Sequence, residues 1–300
     1  MPPRRRNALG ATALAVWSLA LATAAQETPP VPSKTLPEAG APAGAPGQTF
    51  VSPRTGASYA AVVEPDATDS DRDDDEAAPA DEAGAPAPEA APAPAVAAGT
   101  GAIPKSEFYK NGAANGARRA AKLSVASAPV ETFNDLNDLL ATLPSKTSMV
   151  NHNPPITTQP NSNRVAEERR NVRVRCWLYA HSHEDDNDYH LILGRAPGLT
   201  PARFMTMEVS GLPPINSASF ATLKAARDTY KNFFGSSLPG DSYTVFRTPV
   251  PVLMEGSLFF DMSHATGTPP GPQRFRPNMP TIWEVHPLTR IVFEPQGPPA

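Results

Sequence analysis

VRVRCWLY, residues 172–179, alternates without a break. Successive side chains of an extended strand point to opposite faces, so Val172, Val174, Cys176 and Leu178 share one side and Arg173, Arg175, Trp177 and Tyr179 the other. That is the pattern of a half-buried strand. Reading outward, His181–Asn187 is a turn, Asp188–Gly194 returns as a second strand, and Arg203–Val209 is a third with Met205, Met207 and Val209 in phase. Gly211-Leu212-Pro213-Pro214 breaks the sheet. Ser217–Phe234 then sets Phe220, Leu223, Tyr230 and Phe234 at helical spacing, with Ser217 or Asn216 as cap. Tyr243–Arg247 and Val252–Asp261 form a fourth strand, bent where Pro249 and Pro251 cannot donate a hydrogen bond. Thr281–Phe293 is the last, interrupted at Pro287.

Three strands, a helix and two more strands is the order of a five-stranded OB-like barrel with one capping helix, a mainly β fold with an α addition. A generic α+β sandwich is the alternative architecture. The alternation sends Val174, Cys176, Leu191, Met207, Leu258, Phe260 and Val285 into the core. Upstream, the apolar run 131–143 puts Phe133, Leu136, Leu139, Leu140 and Leu143 on one helical stripe, with Thr132 and Asp135 spaced as a capping box and Pro144 as the stop. Residues 145–163 read as loop.

The N-terminus is of another kind. Arg4-Arg5-Arg6 precedes an apolar stretch from Ala8 to Ala22 and small residues before Gln26, the grammar of a cleaved bacterial export signal over residues 1–25. The Arg pair leaves the general and twin-arginine routes both open. Export places the chain in the periplasm or outside the cell, with no transmembrane segment in the mature protein. Its single cysteine, Cys176, offers no internal disulfide, and its place in the apolar row makes it a buried thiol. The chain holds 37 prolines in 300 residues, more than twice the usual share of about 5%. They crowd into an Ala/Pro/acidic stretch with too little apolar surface to offset ordering, so residues 26–125 read as a disordered, solvated linker. The remaining divisions are an amphipathic helix and loop at 126–150 and the OB-like domain at 151–296.

Three strings carry the chemistry: HEDDNDYHLIL (183–193), EGSLFFDMSH (255–264) and TIWEVHPL (281–288). They pair Asp188 with His190, Asp261 with His264, and Glu284 with His286 at strand ends. Histidine titrates near neutrality, so such pairs can bind metal, move protons or close strand ends. The plain reading is structural, each ring donating to a carboxylate or carbonyl. The sharper one is a mixed site for a divalent metal such as Zn²⁺, Mn²⁺ or Ca²⁺, since imidazole with carboxylate suits borderline to hard ions. No established metal, nucleophile or phosphate-loop motif is present. His181 and His183 read as part of a polar turn.

The interleaved cations and aromatics of Arg173, Arg175, Trp177 and Tyr179 form a stacking row of the kind OB-like barrels use for ligands. Basic and acidic residues nearly cancel across 150–300, which disfavours nucleic acid. A saccharide, peptide or protein ligand fits the row better.

The motifs Asp186-Asn-Asp-Tyr-His-Leu-Ile-Leu193, Gly256-Ser-Leu-Phe-Phe-Asp-Met-Ser-His264 and Glu284-Val-His-Pro287 resemble those of an uncharacterised family of bacterial, often exported, OB-like proteins over residues 150–294. The resemblance implies a fold and an exported setting but carries no activity. The Pro-rich stretch 265–280 departs from the compact hairpin it implies. The sequence therefore points to an exported, non-catalytic OB-like binding module. A metal-dependent hydrolase, phosphodiesterase- or nuclease-like, working through the acid–histidine pairs is the second reading, and a structural or interaction protein the third.

Overall fold

In the computed structural model, residues 48–64, 103–110, 116–266 and 270–297 are described. The export signal and most of the linker lie outside them, and no described helix is long and apolar enough to cross a membrane. The described chain is mainly β. Its strands are β1 (Gln48–Val51), β2 (Ser58–Glu64), β3 (Val130–Phe133), β4 (Asn171–His183), β5 (Tyr189–Gly194), β6 (Phe204–Val209), β7 (Tyr243–Phe260) and β8 (Trp283–Phe293). The helices are α1 (Arg119–Lys122), α2 (Leu136–Leu140), α3 (Lys146–Val150) and the one long helix, α4 (Phe220–Phe234).

One eight-stranded sheet runs in the order β1-β2-β7-β8-β6-β5-β4-β3, with β7 also paired to β4. Pairing thus forms a circuit through β4, β5, β6, β8 and β7, the strands expected from the alternation. All its pairs are antiparallel except β6 with β8. The inner row is apolar: Val174, Cys176, Leu191, Met207, Leu258 and Phe260 are fully buried and Val285 nearly so. Burial also raises the Cys176 thiol pKa, which leaves it protonated and inert. α4 buries Leu223, Tyr230, Phe233 and Phe234, stacking Phe233 on Phe293 with ring centroids 3.8 Å apart. Gly235, at φ 55°, ends the helix in a conformation that favours glycine.

The proline bend in β7 is real but does not divide the strand. Leu178 faces Val250 while Ala180 faces Val245, so β7 carries extra residues there in a bulge that increases its curl. A second irregularity lies at Gly256, where a Cβ would stand 2.4 Å from the Pro287 carbonyl oxygen. Only glycine lets β7 and β8 approach so closely.

Three sequence expectations change. The helix expected over 131–143 is strand and then helix, because Val130–Phe133 adds to β4 as a parallel edge. Asp135 caps the shorter α2 by accepting from the Asn137 N–H at 2.7 Å, and Leu136 and Leu139 are buried. Part of the loop at 145–163 is α3, capped by Ser145.

The third change concerns the linker, since residues 48–64 form the hairpin β1–β2 on β7 and 103–110 and 116–125 pack on the sheet. Phe50 of this hairpin meets Phe233 and Phe234. Ser52, Thr55 and Tyr59 donate to the Glu294 carboxylate at 2.7–2.8 Å. Glu294→Ala removes the one acceptor these hydroxyls share. It should cost the hairpin about 1–3 kcal/mol and raise amide exchange at residues 58–64 while β4–β8 stay protected. Unchanged exchange would show that the aromatic contacts alone hold it.

Candidate metal centre

The strand alternation that sends Leu191, Met207 and Val285 inward sends His190, Thr206, Glu208, Glu284 and His286 to the outer face of β5, β6 and β8. Register then brings them together. His190 lies opposite Glu208, and Thr206 opposite Glu284. Continuing the parallel β6–β8 register sets Glu208 beside His286. Asp188, one residue before β5, completes the group.

The contacts are close. His286 Nε2 stands 3.3 Å from Asp188 Oδ2, and Nδ1 stands 2.9 Å from Glu208 Oε2 and 3.7 Å from Glu284 Oε2. His190 Nε2 is 3.9 Å from Glu208 Oε1. Its Nδ1 is held by the Tyr243 hydroxyl, which fixes the ring. One Asp188 oxygen accepts from the Gly211 N–H.

This outer face is buried. Asp188 and His286 are 0% exposed, Glu284 1%, His190 5% and Glu208 6%. The cover comes from the span expected to be linker. Phe108 bridges to Leu212, Lys110 donates its N–H to the Asp186 carbonyl, and α1 buries Lys122 near Asp188 and Glu208. Arg164 clamps that cover, its guanidinium donating to the carbonyls of Ala121, Ser124, Leu258 and His286.

Low dielectric makes the charges here strongly interdependent. Burial disfavours charge on the His286 ring, yet Glu208, Asp188 and Glu284 outweigh it and hold its pKa well above the usual imidazole value. Burial also opposes ionisation of Glu208, but His286, Lys122 and His190 hold its carboxyl well below the usual range. Glu284 goes the other way: burial and the Glu208 charge push its pKa well up. Burial likewise raises Asp188, against the pull of His286. Protons or cations must balance this many carboxylates.

The carboxylates reach His286 off its N–H directions, so the short distances are ion pairs without aligned hydrogen bonds. Both ring nitrogens, Asp188 Oδ2, Glu284 Oε2 and Thr206 Oγ1 are buried with no hydrogen-bond partner. Leaving such atoms without aligned hydrogen bonds is costly, and their concentration around one point is unusual for a structural network.

Of the six residues expected in the site, Asp188, His190, Glu284 and His286 converge. Asp261 and His264 form their own pair at 3.3 Å, with Asp261 close enough to Glu284 to raise its pKa further. Two participants were not expected. Glu208 is the hub, and its signal was present in RFMTMEV, where it is a lone acid out of phase with Met205, Met207 and Val209. Lys122 had no such signal.

The expected polar turn is shorter than 181–187, for β4 runs to His183. His181 is fully buried; burial lowers its pKa to about 3, and its Nδ1 shares a hydrogen bond with the Tyr230 hydroxyl at 2.7 Å. The Arg/aromatic row is engaged internally. Arg173 pairs with Glu255 at 2.7 Å, Arg175 donates to the Gly297 carbonyl, and Trp177 is half-buried. Tyr179 is buried edge-on against Phe204 and Phe275, its hydroxyl donating to the Arg195 carbonyl. Compared with protein-family models, curated proteins and solved structures, the chain matches none.

Proposed function

We propose that this is an exported OB-like protein whose function centres on a divalent metal ion held by Asp188, Glu208, Glu284, His190 and His286. The OB-like reading draws support from the five-strand circuit, with α4 between its third and fourth strands. Export rests on the N-terminal grammar alone.

One observation carries the metal. Two three-residue sets, Asp188–Glu208–His286 and His190–Glu208–Glu284, each bring ligand atoms within 4.8 Å of one another, all buried. Donors about 2.1 Å from a tetrahedral ion stand about 3.4 Å apart. The separations at His286 Nδ1, 2.9 and 3.7 Å, and at His190 Nε2, 3.9 Å, bracket that value. Two imidazoles with carboxylates favour Zn²⁺ or Mn²⁺ over Ca²⁺.

The protein acts by binding rather than turnover, because a catalytic ion needs an open position that substrate reaches, and the cover over this cluster opposes one. The internal engagements of the Arg173–Tyr179 row weigh against it as a saccharide or peptide platform. A metal-dependent hydrolase stays as the second reading on one ground: His190 and Glu208 form the slightly exposed edge of the cluster.

Elemental analysis of the purified mature chain after dialysis tests the proposal. Wild type should retain stoichiometric zinc or manganese, and His286→Ala should lose it. Glu284→Gln, nearly isosteric, is the companion where His286→Ala fails to fold. At free metal 100 times Kd the bound ion adds about 2.7 kcal/mol of stability, so chelation should lower Tm. A wild type that holds no metal, and melts identically with and without added Zn²⁺ or Mn²⁺, would overturn the reading.

A further inference from the structure

We propose that the centre holds two divalent ions with Glu208 as the carboxylate bridge between them. This rests on the metal-binding reading and adds its nuclearity. The two ligand sets share only Glu208. Its two oxygens are divided between the two histidines, Oε1 facing His190 Nε2 at 3.9 Å and Oε2 facing His286 Nδ1 at 2.9 Å. A carboxylate presented in that way spans two ions about 3.5–4 Å apart, the separation of two-metal sites.

Each ion then has two ligands of its own. Asp188 and His286 serve one, each offering a ligand atom within 4.8 Å of the other and of Glu208. His190 and Glu284 serve the other, on neighbouring strands of the same outer face. His190 is already oriented by Tyr243 on its far nitrogen, as ligating imidazoles are. Buried atoms without an aligned hydrogen bond occur in both ligand sets: Asp188 Oδ2 and the His286 ring nitrogens in one, Glu284 Oε2 in the other.

The test is metal stoichiometry combined with magnetic coupling. Metal-free full-length protein is dialysed against Mn²⁺, analysed for bound ion, and examined by electron paramagnetic resonance. Wild type should bind two ions per chain with the signal of a coupled pair. His190→Ala should bind one ion with an uncoupled signal, and Glu208→Gln should bind at most one. Near-ultraviolet circular dichroism confirms that each variant is folded, and His190→Ala alone decides if Glu208→Gln is not. One ion in wild type overturns the two-ion centre and leaves the metal-binding reading standing. No ion overturns both. Two uncoupled ions that survive Glu208→Gln overturn the bridge.

Discussion

Glu168→Ala should destabilise the protein by about 3–5 kcal/mol, because it strips the partner from a buried cation. Arg118 is 1% exposed and Glu168 0%. They meet in a two-pronged pair, Nη1 to Oε1 at 2.6 Å and Nη2 to Oε2 at 2.7 Å. Glu168 also accepts from the N–H groups of Phe260 at 2.9 Å and Val165 at 2.8 Å. Its loss therefore abandons two backbone donors as well as a guanidinium. Removing both charges is milder, since the desolvation penalty disappears with the pair. The double variant Arg118→Met/Glu168→Leu should lose less stability than Glu168→Ala in denaturant unfolding. A single-variant loss below about 1 kcal/mol would show that water reaches this pair. Because Arg118 starts the turn that leads into α1, Glu168→Ala should also loosen the cover and hasten loss of the proposed ion to a chelator.

Phe260→Ala should cost a similar amount, about 3–5 kcal/mol, through lost burial and the cavity left behind. Phe260 is fully buried and packs edge-on against Trp283 at 5.3 Å between ring centroids. Phe260→Leu keeps most of the volume and should lose much less. The near-ultraviolet circular dichroism band of Trp283 should weaken in the alanine variant, since its asymmetric neighbour is gone. Unfolding that shifts by under about 1 kcal/mol would place Phe260 outside the core and invert the phase of β7. That phase also fixes the site: with Phe260 inward, Phe259 turns outward and packs its ring 5.6 Å from His286.

The inner row was legible in the sequence because it depends on a local rule. From Val172 to Leu178, and again through Leu191, Met207, Leu258 and Val285, side chains alternate with period two wherever the chain is extended, whatever pairs beside it. α4 was legible for the same reason at period 3.6. The run 131–143 shows where that rule fails. Its leucines fit a helical stripe, yet Val130–Phe133 gains more from pairing with β4 than local propensity gives a helix, since tertiary hydrogen bonds override weak preferences.

For the site, the sequence by itself determined the ligand types: Asp188, His190, Glu284 and His286 stand in phase on strands, opposite the core row. Only the tertiary structure decided which of them meet. Cross-strand register made Glu208 the hub and left Asp261 and His264 as a neighbouring pair, and no local pattern encodes the parallel pairing of β6 with β8. The same holds for the cover. Residues 103–110 and 116–125 carry little apolar periodicity because they are held by backbone bonds, by Arg164 donating to four carbonyls and by the Arg118–Glu168 pair, all contacts between residues far apart in the chain. Alternation determines which way a side chain faces. Burial of that outer face, and with it the change from a polar strand surface to a dry acid–histidine centre, was decided by long-range packing that composition alone had assigned to solvent.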